Sequence, residues 1–276
     1  MKTLLLAIFA FGTAMTCSAQ DSTSREKVDT IRVGGMIIIK KTDKNGKKEK
    51  DVIMADKRRT NKKPSNISTN WWIVDIGFAS LNDKTNYGSA AAQAFAPGAT
   101  KDRFDLRTGK SINVNLWFFM QRLSLIKRVV NLKYGLGLEL NNYRFDDERV
   151  RLSKNPTLIT VDPTLENVDK NKLAADYITV PMMLNFNFTP GRKKGGFGLS
   201  AGVSAGYLYS ARQKIKDNGN KTKLHDDFDL RKWKLAYVGE LNLGPVRLYG
   251  SYAFKSMWEK GLDQTPYNVG IRLSNW

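Results

Sequence analysis

Eight stretches of this chain alternate apolar residues with polar or small ones at a period of two, and this pattern limits the fold more than any other feature. Successive side chains of a strand point to opposite faces, so each stretch presents one continuous apolar face. Val130, Leu132, Tyr134, Leu136, Leu138 and Leu140 stand opposite Asn131, Lys133, Gly135, Gly137, Glu139 and Asn141. The same parity sets Trp72, Val74, Ile76 and Phe78 against Ile73, Asp75, Gly77 and Ala79. It also sets Val114, Leu116, Phe118 and Met120 against Asn115, Trp117, Phe119 and Gln121. The apolar face carries no charge in any of the eight. The opposite face carries Asp75, Lys133, Glu139, Lys234, Glu240, Arg247 and Arg272 among glycines, serines and amides. Each stretch is close to the ~9–11 residues that cross a bilayer as a tilted strand.

A soluble sandwich can alternate in the same way, so the connections decide. They run 81–109, 122–128, 142–176, 190–195, 210–231, Gly244-Pro245 and 255–265, long alternating with short. A transmembrane barrel has short turns on one side and long loops on the other. The expectation is an all-β chain whose residues 71–276 form an eight-stranded antiparallel transmembrane up-and-down β-barrel. Both termini then lie in the periplasm and the long loops are extracellular. A mean hydropathy of -0.41, with no long apolar run beyond the N-terminus, excludes a helical membrane protein and leaves a barrel untouched.

The first twenty residues read as a secretory signal peptide. Lys2 supplies the positive start, an apolar stretch follows, and small residues come at Ser18 and Ala19. The rival reading is a lipoprotein anchored at Cys17, but residues 14–17 lack the Leu-x-small-Cys pattern. Cys17 is the only cysteine, so no disulfide framework exists. Residues 21–70 form a basic extension with 14 Lys and Arg against 7 Asp and Glu. Within it residues 30–41 and 48–54 read as two strands of a hairpin, with the turn signal Asn45-Gly46 between them, and 55–70 read as a linker. The charges there are either a solvated surface or a periplasmic contact made by Lys40, Lys41, Lys57, Arg58, Arg59, Lys62 and Lys63 with phosphate groups or an acidic partner.

An eight-stranded barrel encloses only enough room for its own side chains. The inward acids and bases are therefore expected to pair as a lumen network, and the chain is expected not to conduct. Aromatic residues at the strand ends suit two interfacial girdles. Trp71, Trp72, Phe188 and Phe197 would form one. Tyr143, Tyr177, Tyr209, Trp233, Trp258 and Tyr267 would form the other.

Residues 177–188 (YITVPMMLNFNF) carry a proline inside a strand, where it removes a ladder donor, and a glycine-rich strand follows at 196–210 (GFGLSAGVSAGYLYS). These two segments, with the Ser-Ala-Gln end of the leader, resemble the small outer-membrane β-barrels of the Bacteroidota, the PorT-like outer membrane protein beta-barrel domain group. The resemblance covers about 71–276. Members of that group share an architecture and no one activity; one member type assists the type IX secretion system. Trp276 departs from the pattern, lying three residues after Leu273 on the opposite parity.

An enzyme needs a site, and the sequence marks none. His225, the single histidine, lies beside Asp226 and Asp227 in a polar loop, where a solvated role is the ordinary one. A metal site at His225, Asp226, Asp227 and Asp229 is a weaker reading, and no cofactor is implied. The expected role is structural or binding, in the cell envelope and in secretion if it follows that member type. The expected partners are outer-membrane lipid and lipopolysaccharide, with an envelope protein met through the outer loops or the N-terminal extension; nucleic acid is not among them. The alternative is a lipid-modifying enzyme or ligand-binding barrel that uses outer-loop residues.

Overall fold

The computed structural model describes residues 28–33, 36–42, 48–54, 65–190 and 196–274. The chain divides into two compact units, 1–63 and 64–276. The leader, the expected Asn45-Gly46 turn, residues 55–64 and Trp276 lie outside the described residues, and with them Lys57, Arg58, Arg59, Lys62 and Lys63.

The first unit is a three-stranded antiparallel sheet of β1 (Val28–Val33), β2 (Met36–Thr42) and β3 (Lys48–Met54). The sequence reading of 30–41 as one strand is corrected. Val28–Val33 and Met36–Thr42 pair antiparallel, Val33 with Met36, so two strands stand where the sequence pattern read as one. Lys40 and Lys41 sit in β2, where Lys40 pairs with Asp29 and Lys50.

The second unit contains β4 (Ile67–Asp83), β5 (Ile112–Ile126), β6 (Val130–Arg144), β7 (Val150–Leu152), β8 (Ile159–Val161), β9 (Lys170–Asn187), β10 (Phe197–Asp217), β11 (Asn220–His225), β12 (Trp233–Leu243), β13 (Val246–Ala253) and β14 (Gln264–Leu273). Eight of them close a ring in the order β4, β5, β6, β9, β10, β12, β13, β14 and back to β4, every neighbour antiparallel. Closure removes the unpaired edges that a membrane would not tolerate. The outward residues stay exposed although they are apolar, Val180 at 48%, Leu235 at 49% and Val269 at 59%. A folded chain hides such a belt from water in lipid.

The first barrel strand begins at Ile67, four residues before the expected start. Its neighbour strand shows a second departure. Trp71 pairs with Phe119 and Ile73 with Trp117, with Trp72 at φ 55° between them, and against β6 the register of β5 shifts by one residue between Trp117 and Phe119, a bulge at Phe118. The extra residue shifts the parity. Trp71 and Trp72 are both exposed and pack on Phe119 and Phe118 at 5.9 and 6.0 Å. Beyond the bulge Met120 turns inward and is fully buried, the reverse of the expected assignment of Phe119 and Met120.

The long connections do not run free. Helix α1 (Ala90–Phe95), the β7–β8 hairpin and residues 228–230 and 257–262 gather over one mouth of the barrel around a second apolar core. Trp258, Tyr143 and Tyr177 belong to that core and are buried, so they are not part of an interfacial girdle. Trp233, Tyr209 and Tyr267 remain exposed at that end, and Phe188 and Phe197 at the other.

Candidate functional site: the sealed lumen and its cap

Inward positions of four strands place six charged side chains in one connected network. Asp75 on β4 is fully buried and accepts two bonds of 2.7 Å from Arg272 on β14. It also accepts Trp117 Nε1 at 2.7 Å and Asn115 Nδ2 at 3.2 Å. The Arg272 guanidinium lies 5.6 Å from the Trp117 ring and reaches Glu240 on β12, which in turn pairs with Lys133 on β6. Glu139 on β6 pairs with Lys234 on β12 and accepts Asn268 at 2.9 Å and Asn141 at 3.1 Å. An amide chain joins the two halves, with Asn113 donating to Asn115 and to Asn141 at 3.0 and 2.9 Å.

The arithmetic of the pairs is simple. Asp75, Glu139 and Glu240 meet Lys133, Lys234 and Arg272, so the buried acids and bases balance. Arg247, the fourth inward base of the sequence reading, is not held by these carboxylates. It is half-buried near the chain end and donates to the Ser274 hydroxyl and backbone oxygen. The amide chain was the part that charge counting missed. Its signal was present, since Asn113, Asn115 and Asn141 all fall on the inward parity of otherwise apolar strands.

Glycines make room for the large inward side chains. Gly77 and Gly270 pair directly across β4 and β14, and the Tyr249 ring lies against both; a Cβ on Gly270 would stand 2.8 Å from it. The Tyr249 hydroxyl donates to Asn113. The cavity left among Asn115, Trp117, Glu139 and Tyr249 is about 30 Å³, the share of one water molecule.

Above the lumen, Phe95 meets Trp258 edge-on at 5.5 Å, and Trp258 Nε1 donates to Gln264 at 2.8 Å. Gln264 Nε2 donates to Asp83, whose carboxylate accepts the Tyr87 hydroxyl at 2.5 Å. Burial and the adjacent Asp83 carboxylate raise the Tyr87 phenol well above its ordinary range. A cavity of about 550 Å³ opens at the rim, where β12 and β13 end below their neighbours, between Tyr207, Trp233, Phe254, Lys232 and Lys255.

His225 ends β11, exposed, paired in register with Arg212. Asp227 and Asp229 next to it face Lys232 and Lys260 at 3.9 and 3.0 Å. Among the described residues no three of His, Cys, Asp and Glu gather as a metal site would require.

The comparison with curated proteins returned no match. Among solved structures the chain is similar to Ail, the attachment invasion locus protein of Yersinia pestis. The identity is 10%, the alignment covers 74% of this chain and 98% of Ail, and the TM-score is 0.30, too loose for anything to be carried across. The family model described as outer membrane protein beta-barrel domain matches residues 77–255, which run from within β4 to just past β13. A closed ring of eight antiparallel strands with an apolar outer belt is what that description names, and this chain belongs to the outer membrane protein beta-barrel domain family.

Proposed function

We propose that the chain is a sealed, non-enzymatic outer-membrane barrel that works as a structural or binding protein of the cell envelope from its surfaces. Its termini lie in the periplasm and its capped mouth lies outside the cell. The observation that carries this reading is the filled lumen. Six buried charges pair across it, an amide chain joins them, and a second apolar core covers the mouth. Hydrated ions have no continuous path through such an interior. An accessory role beside a secretion system is one form that such a binding role takes.

Liposome swelling tests it. Vesicles carrying the protein should take up arabinose no faster than empty vesicles, while a porin control swells. Swelling at porin rate would overturn the sealed reading. The rim cavity between Trp233 and Phe254 favours a second reading, a ligand-binding barrel, because its volume suits a small amphiphile. A bound molecule released on denaturing protein purified in mild detergent, and lost in Trp233→Ala, would favour it.

A further inference from the structure

The strands β9, β10 and β11 continue past the apolar belt as an upright sheet, and their register stacks bases side by side. Lys170, Lys216 and Lys221 form one row. Arg144, Lys172, Lys214 and Lys223 form the next, across β6, β9, β10 and β11. Arg212 and His225 form a third. A register shift between Leu208 and Ser210 changes the parity of β10, so Ala211 and Gln213 face inward, while Arg212, Lys214 and Lys216 face out. The rows therefore stand on the same outer face as Ile178, Tyr207 and Tyr209, directly above the lipid belt. At ~3.3 Å per residue they lie roughly 10–23 Å beyond Tyr209.

Like charges directly opposite one another in a sheet are destabilising. Two carboxylates engage this face at salt-bridge distance among the described residues, Asp176 with Arg212 at 2.5 Å and Asp169 with Lys216 at 2.9 Å. Burial, with Lys170, Lys214 and Arg212 nearby, pushes Lys172 down to about 8. A face built against its own charge and seated above the belt calls for an anion from outside the chain.

We propose that this face binds the phosphate groups of a phosphorylated glycolipid in the membrane leaflet that surrounds the capped mouth. The bases reach the headgroup layer because the sheet rises from the belt at that level, and several phosphates per molecule match the stacked rows. Lysines near an anionic surface each strengthen binding about fivefold at moderate salt. The proposal rests on the membrane-embedded barrel and on the orientation given above.

The test uses the whole mature chain in phosphatidylcholine nanodiscs, with and without lipid A carrying both phosphates. Wild type should melt at a higher temperature with lipid A, and added salt should reduce the gain. Dephosphorylated lipid A, or the variant Lys172→Gln/Lys214→Gln/Lys221→Gln/Lys223→Gln, should remove most of it. Without lipid A the variant should be as stable as wild type or more so, which separates a lost ligand from a damaged fold. An equal gain from dephosphorylated lipid A, or an undiminished gain in the variant, overturns the proposal. So does binding of heparin or an oligonucleotide to the wild type with no response to lipid A, because the partner is then a soluble polyanion. Labelling Asn220→Cys on intact cells with a membrane-impermeant maleimide reports the orientation separately: labelling supports the outer leaflet, and protection overturns that placement.

Discussion

Arg272 and Asp75 lie directly opposite each other on β14 and β4, and the guanidinium holds the carboxylate through two 2.7 Å bonds across the seam that closes the ring. The last strand is thus tied to the first by a buried pair. Breaking a buried pair from one side leaves an uncompensated charge, which costs about 3–5 kcal/mol.

Arg272→Met should lower stability by about that amount, read as the urea midpoint of tryptophan fluorescence in lipid vesicles. Asp75→Asn should cost less, since the amide keeps some of the bonds from Trp117 and Asn115. The double variant should lie closer to wild type than the sum of the two. Strict additivity would show that the pair is not coupled across the seam.

The cap should open without unfolding the barrel. Trp258 is 1% exposed and packs on Phe95 in the core that covers the mouth, outside the lumen network. Trp258→Ala removes about 3–5 kcal/mol of burial from the cap core. Limited proteolysis should then cut within 84–110 or 255–263 while the core fragment keeps its heat-modifiable mobility on gels. Loss of that mobility shift would mean the cap and the ring fold as one unit.

The outer faces of the strands were legible in the sequence because lipid imposes one rule, apolar at every second position, over the whole belt. Six of the seven inward charges named from parity meet in the lumen network; Arg247 falls at its end, where the wall stops. What parity could not carry was any place where the chain gains a residue. The bulge at Phe118 reverses Phe119 and Met120. The strands above the belt read as loops in the sequence, because their outer face carries bases in place of apolar residues and their buried inner face mixes Asn171 and Gln213 with Leu173 and Ala175. One clue was present: Asn218-Gly219, both at positive φ, form the two-residue turn that joins β10 to β11, and lysines alternate on either side of it. The cap core was hidden for another reason. Its members come from four connections, and no local period links Phe95, Leu152, Phe228 and Trp258.

Lys172 reports on its neighbours. It is held near 8 against an ordinary 10.5, so between those values the folded chain binds fewer protons than the unfolded one, and this group's contribution to stability grows as pH rises through that window. Lys214→Gln removes a facing charge and should move the Lys172 titration upward, measured by NMR of the labelled lysine side chain in detergent micelles. An unchanged titration would place the cause in burial alone.

The N-terminal sheet should be dispensable for the barrel, because the two units divide at Lys63 and every lumen residue named here comes from β4 onward. A chain lacking residues 21–63 should refold in detergent with the same heat stability as the full mature protein. A failure to refold would show that the basic extension, Lys40 and Lys41 included, is part of the folding unit.

The account depends most on eight strands that cross the bilayer with alternate residues in lipid. Nitroxide labels on a chain lacking Cys17 test this at neighbouring positions: Thr179 and Val180, Val203 and Ser204, Asn268 and Val269. Labels at 180, 203 and 269 should be relaxed by dissolved oxygen and shielded from a water-soluble nickel reagent, while labels at 179, 204 and 268 should be reached by neither. Equal exposure of both members of each pair to the nickel reagent would contradict the barrel.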